Sequence, residues 1–220
     1  MIEKILPPWV VSAEAFEDPP DVVLFPEEEA VIARAVEKRR REFATARHCA
    51  RQALARLGVP PAPILPGERG APGWPDGVAG TMTHCAGYRA AAVSLEALTV
   101  GIDAEPHEPL PEGILPSISL DEERAELAGL GGGVHWDRLL FSAKESVYKA
   151  WFPLARRWLG FEEARLSFSP DGTFTARLLV PGPRVDGREV TGFTGRWLVA
   201  DGLLVTAIAV PGTGGSGSPG

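Results

Sequence analysis

Cysteine is nearly absent: Cys49 and Cys85 are the only two in 220 residues. That excludes a disulfide framework and a four-cysteine zinc site, and the expected compartment is the cytoplasm. No apolar run approaches the ~20 residues that a spanning helix needs. The first residues, MIEKILPPWVV, place a charged pair and two prolines where a secretion signal needs a clean apolar core. Basic charge is also short, with 22 Lys and Arg against 29 Asp and Glu and a net charge of −7. A chain of that sign is a poor partner for duplex nucleic acid or an anionic membrane. Its composition, 45% hydrophobic and 23% charged, is that of a globular protein with one large domain or two small lobes.

The scarce positive charge is concentrated. Eight basic residues from Arg34 to Arg56 face only Glu37 and Glu42, a pattern that suits a small polyanion. They lie in PEEEAVIARAVEKRRREFATARHCARQALARLG, which reads as helix. Pro26 fits the first helical position, Glu27 to Glu29 fit the positive end of the dipole, and Gly58 fits the stop. The length predicts a bend near the arginine run. Extended segments are expected at Trp9–Ser12 and Val22–Phe25. A Pro- and Gly-rich loop over 60–77 precedes expected strands at Val78–His84, Arg89–Leu95 and Thr99–Glu105. SLDEERAELAGL and Trp136–Trp151 read as helices, followed by strands at Arg165–Phe168, Thr173–Val180, Gly192–Ala200 and Leu203–Val210. The last two flank Asp201-Gly202, a hairpin signal.

Chemistry gathers at three stretches. In VGIDAE, Asp103 and Glu105 share one face of a strand and repel each other unless solvent, a shared proton or a hard cation intervenes. In FSAKESVYKAWF, Glu145 and Lys149 stack at i and i+4 on a helix; alone they are a surface salt bridge worth about 0.3–0.5 kcal/mol. In GTMTHCAGYRAAAV, His84 ends a strand. Its neighbour Cys85 points to the opposite face, so the two are no nucleophilic dyad, and Cys85 is expected to be a small buried hydrophobe.

In this order these stretches resemble the 4′-phosphopantetheinyl transferases, in particular the monomeric Sfp-like group. VGIDAE and FSAKESVYK look like that family's two motifs, THCAGY like its histidine motif, and GERGAPGWP like its adenine-side loop. The resemblance implies an α+β fold of two similar helix-plus-antiparallel-sheet lobes with the active site in the cleft between them. The expected division is residues 1–105, residues 106–210 and a flexible tail over 211–220.

The implied reaction moves 4′-phosphopantetheine from coenzyme A to a serine of apo acyl or peptidyl carrier proteins of fatty acid, polyketide and nonribosomal peptide synthesis. It releases adenosine 3′,5′-bisphosphate and needs Mg²⁺, with Mn²⁺ as an alternative. The resemblance assigns the metal to Asp103, Glu105 and Glu145, and catalysis to Glu145, Lys149 and Lys144. It assigns coenzyme A to Arg39, Arg47, Arg69, His84 and Thr83. Pro66 stands where relatives often carry a lysine, so Arg40 or Arg51 is a candidate to compensate. WFPLARRWLGF, with Arg156 and Arg157, fits a docking surface for an acidic carrier or core packing of the second lobe. A monomer is expected. A coenzyme-A-binding module without catalysis, or a metal-dependent phosphodiesterase, would use the same residues differently.

Overall fold

The computed structural model describes residues 1–212; the expected tail lies, from residue 213 on, outside the described residues. The chain is α+β. Strands β1 (Val11–Ala15), β2 (Ala79–Cys85) and β3 (Tyr88–Ser94) form an antiparallel sheet in the order β1-β3-β2. Helix α2 (Glu37–Arg56) covers it, burying Cys49, Ala50, Ala53 and Leu54 against Ala91 and Val93. Small residues on both partners allow helix and sheet to approach closely.

The predicted long helix is two helices. Four residues separate helix α1 (Pro26–Ile32) from α2, so the bend falls at 33–36, just ahead of the arginine run. Glu28 of α1 is 0% exposed and ties the pieces together. Its carboxylate accepts from Arg51 Nη1 (3.0 Å) and from the Ile64 and Phe25 amides (2.8 and 3.0 Å). The expected Val22–Phe25 strand is irregular, whereas the first strand runs over Val11–Ala15.

The second sheet joins β4 (Ala97–Pro106), β5 (Ala164–Ser169), β6 (Thr173–Leu178), β9 (Gly192–Ala200) and β10 (Leu203–Pro211) in the order β4-β10-β9-β6-β5. A small hairpin, β7 (Arg184–Val185) and β8 (Arg188–Glu189), lies between β6 and β9. Helices α3 (Leu115–Ile118) and α4 (Asp121–Ala128) precede α5 (Trp136–Ala155), which packs on β4 and β10. By pairing, β4 belongs to this second sheet, so the seam between the sheets lies just before it.

That seam is made by threonines. The Ile102 amide donates to Thr81 Oγ1 (3.4 Å) and the Ala104 amide to Thr83 Oγ1 (3.2 Å), so β2 runs alongside β4 with side chains in place of a backbone ladder. Strand alternation then sorts β4. Val100, Ile102 and Ala104 enter the apolar cluster with Ile2, Tyr88 and Val205, while Thr99, Gly101, Asp103 and Glu105 fall on the opposite face.

Candidate active site

Gly101 sets the distance between β4 and α5. A Cβ there would sit 2.1 Å from the Ser146 carbonyl oxygen, so the helix backbone rests directly on the strand. Thr99 Oγ1 donates to Ala150 O (2.8 Å), and Ser146 and Thr206 share a hydroxyl bond of 2.7 Å, fixing α5 against β4 and β10. With the helix locked, Lys149 Nζ reaches Asp103 Oδ1 (2.7 Å) and Ile102 O (3.0 Å). Thr83 Oγ1 donates to the same Asp103 oxygen at 3.1 Å. Asp103 Oδ2 is buried and has no hydrogen-bond partner among the described residues.

Glu105 stands beyond it, its Oε2 accepting from Arg138 Nη1 of α5 at 2.9 Å. Burial, and then the Asp103 charge, push the Glu105 carboxyl above the usual range against the pull of Arg138. Burial also raises the Glu145 carboxyl, with Lys149 opposing and Asp103 adding to the rise. The three carboxylates thus form one electrostatic cluster. Among the described residues no three His, Cys, Asp or Glu side chains converge on a ready-made metal position. Lys149 and Arg138 supply the cations instead, and the orphaned Asp103 oxygen is an acceptor that suits a hard cation.

Glu145 and Lys149 line a cavity of about 770 Å³. Its other walls hold Arg39, Arg47, Arg69 and His84, so the structure brings these four expected residues together with the two of α5. Arg39 Nη1 donates to His84 Nε2 (3.1 Å), which makes that nitrogen the acceptor of the ring. Glu42 Oε2 lies 3.7 Å from the same atom. Burial depresses the His84 pKa; Glu42 opposes this, and Arg39, Lys149 and Arg89 add to it. Arg47 is buried, donates Nε to Ile64 O (2.8 Å), and is lowered to about 10, first by desolvation. Arg69, at φ 54° in the loop, lies 5.8 Å from the Trp158 ring centroid.

Other expected residues are elsewhere. Lys144 does not face the cavity's carboxylates: 3% exposed, it pairs with fully buried Glu123 at 2.8 Å and donates to Ala164 O at 3.1 Å. The ~100° step from Glu145 turns it into the second core. Thr83 sits on the seam as a partner of Asp103 and does not line the cavity. Neither proposed substitute for a lysine at Pro66 is free: Arg51 is held by Glu28, and Arg40 by Glu29 and Ile32 O. Cys85 is half-buried, its thiol pushed up to about 12 by burial and then by Glu105 and Asp103, so it is inert. In the stretch from Trp151 to Phe161, Trp151, Phe152 and Leu159 are core, Arg157 lies over the Trp151 ring, and Arg156 lines the cavity. Only Trp158, 53% exposed, presents a large apolar surface there.

Sequence reasoning missed Arg138 and Glu42. Arg138 lies seven residues before Glu145, two turns along the same helix face, which was a legible signal. Glu42 was counted only, with Glu37, as an acid within the basic stretch.

Two family models match, the 4′-phosphopantetheinyl transferase N-terminal domain over residues 27–94 and the 4′-phosphopantetheinyl transferase superfamily over residues 99–198. The chain is 60% identical to the 4′-phosphopantetheinyl transferase Svp of Streptomyces mobaraensis, over 98% of this chain and 92% of that protein. It is 57% identical to Npt of Nocardia iowensis (95% and 99%) and 51% identical to PptT of Mycobacterium tuberculosis (96% and 98%), both also 4′-phosphopantetheinyl transferases. The chain therefore belongs to the 4′-phosphopantetheinyl transferase superfamily. It is an enzyme, a transferase of phosphopantetheine to carrier proteins. No helix of the described residues is long and apolar enough to cross a membrane.

Proposed function

We propose that coenzyme A lies along the large cavity, its 3′-phosphate against Arg39, Arg47 and His84 and its diphosphate at Lys149. One observation carries this reading: a single cavity is lined both by Arg39, Arg47 and His84 and by Glu145 and Lys149, and Lys149 binds Asp103. Arginine forks suit phosphate oxygens, and Arg69 adds a further cation at the loop. The site would then sit in the cleft between a first lobe over residues 1–105 and a second over 106–210, with β4 at their boundary pairing into the second sheet.

Asp103, Glu105 and Glu145 would hold the divalent cation, Mg²⁺ in this reading with Mn²⁺ as a substitute. Bound there, it supplies charge neutralisation for the diphosphate and removes the carboxylate repulsion. The carrier serine hydroxyl attacks the β-phosphorus, a new P–O bond forms, and the bond to the bridging oxygen breaks. Glu145 takes the serine proton. Its raised pKa makes it a stronger base than an exposed glutamate. Lys149 donates to the departing adenosine 3′,5′-bisphosphate. The acceptors are acyl and peptidyl carrier proteins, which are acidic; Arg156 of the cavity wall and exposed Trp158 suit them, and the enzyme works as a monomer.

The test is release of adenosine 3′,5′-bisphosphate with Mg²⁺ or excess chelator, for the native chain, Glu145→Gln and Lys149→Ala. Turnover should require metal and fall at least 10²-fold in each variant. Metal-independent turnover, or near-normal turnover in both variants, would overturn the assignment.

A further inference from the structure

The first turn of α5 holds down the whole segment that follows the two carboxylates. The His135 amide donates to His107 Nε2 (3.2 Å), and Asp137 Oδ2 accepts from the Leu110 amide (2.8 Å). Arg138 does most of this work. Its Nη1 donates to Glu105 Oε2 (2.9 Å), its Nη2 to Pro109 O (2.9 Å) and its Nε to Glu108 O (3.2 Å). Three nitrogens of one planar group thus bind three oxygens of one short segment. The ion pair is well shielded, with the Arg138 and Glu105 side chains 16% and 19% exposed.

Glu105 needs such a hold. It stands at the end of β4, two residues from Asp103, whose charge repels it. A glutamate in that position gains by swinging outward, away from the cluster. Arg138 stops it by engaging Oε2 alone, which leaves the second carboxylate oxygen unengaged by that contact. The guanidinium also fixes the backbone at Glu108 and Pro109 on which the end of the strand depends.

We infer that Arg138 is a positioning residue: it presents Glu105 to the divalent cation without touching substrate. The inference rests on the metal reading above. Partners that orient ligating carboxylates typically change metal affinity by ~10–100-fold when removed. A lysine keeps the charge but cannot bind three oxygens in a plane, so it should restore the effect only in part.

The experiment is a Mn²⁺ titration of the protein saturated with coenzyme A, following free Mn²⁺ by electron paramagnetic resonance. Arg138→Gln should bind Mn²⁺ ~10–100-fold more weakly, and Arg138→Lys should fall between it and the native chain. Coenzyme A affinity in excess chelator should stay within about twofold, because the basic end of the cavity lies on the other sheet's elements. In a Glu105→Gln background, Arg138→Gln should add no further loss of Mn²⁺ binding. Native Mn²⁺ affinity in both Arg138 variants would overturn the inference, as would a full additional loss on top of Glu105→Gln. If the native complex itself binds no Mn²⁺, the metal reading fails, a result distinct from a failure at Arg138 alone.

Discussion

Replacing Gly101 by alanine tests how the strand and the helix of the site are fitted together. The new methyl would lie 2.1 Å from Ser146 O, 2.8 Å from Ala150 N and 3.1 Å from Ala150 Cβ. All three atoms belong to α5 and two are backbone, so no side chain can rotate away. The helix must retreat by about 1 Å, the gap between 2.1 Å and the 3.0 Å floor of real Cβ contacts. Overpacking of this kind costs about 1–3 kcal/mol. At about 2–4 °C per kcal/mol for a chain of this size, the melting temperature should drop by roughly 2–12 °C. The retreat also draws Lys149 from Asp103, now 2.7 Å apart, and Glu145 from the carboxylate cluster. A misplacement of ~1 Å can lower turnover by ~10²-fold, and such a loss is expected here at saturating coenzyme A. In the proposed binding mode the 3′-phosphate end lies against α2 and β2, so its binding should change little. Thermal melts and steady-state turnover read both effects. Native turnover with an unchanged melting temperature would refute the claim that close helix–strand contact builds the site.

Lys144→Met should leave Glu123 buried without its counter-ion, costing about 3–5 kcal/mol by denaturant titration while coenzyme A affinity holds. A stable variant with lost coenzyme A binding would place Lys144 in the site after all. Glu145→Gln removes a carboxyl whose pKa is raised in the folded state, so its ionisation destabilises the metal-free fold as pH rises from the unfolded value of ~4.3 toward the folded one. The variant should therefore melt above the native chain at neutral pH, in chelator, and lose this advantage below about pH 4; a lower melting temperature at pH 7 would contradict it. His84, depressed by burial and three cations, should regain a proton when a phosphate enters between it and Arg39. Coenzyme A affinity should fall as pH rises through the ligand-bound value. Calorimetry in buffers of different ionisation enthalpy should show proton uptake for coenzyme A and none for dephospho-coenzyme A; equal uptake for both would refute the role.

Much of this site was legible in the sequence because its chemistry is written at fixed spacing. The two carboxylates of β4 had to share a face, and Glu145 with Lys149 had to share another. The i+1 offset of Lys144 from Glu145 pointed it elsewhere, and the structure gives the destination, a buried pair with Glu123 twenty-one positions upstream. That partnership crosses elements, which no local pattern encodes. The same limit hid the role of Gly101, visible only once α5 lies on β4, and the loss of Arg51 to Glu28. The split of the first helix could be read only as near the arginine run, because Ala33, Arg34 and Ala35 at the break are themselves good helix formers. In the stretch from Trp151 to Phe161 composition could not separate core from surface: Trp151, Phe152 and Leu159 are buried, whereas Pro153 and Arg156 to Trp158 are exposed.

The central claim is that Asp103, Glu105 and Glu145 make one metal-dependent transfer site with the coenzyme A cavity. The most direct measurement is the intact mass of an apo carrier protein after incubation with this enzyme, coenzyme A and Mg²⁺, beside controls with excess chelator and with Asp103→Asn. A gain of one phosphopantetheine in the full reaction, absent from both controls, is the predicted result. A full gain in chelator or with Asp103→Asn would contradict the account.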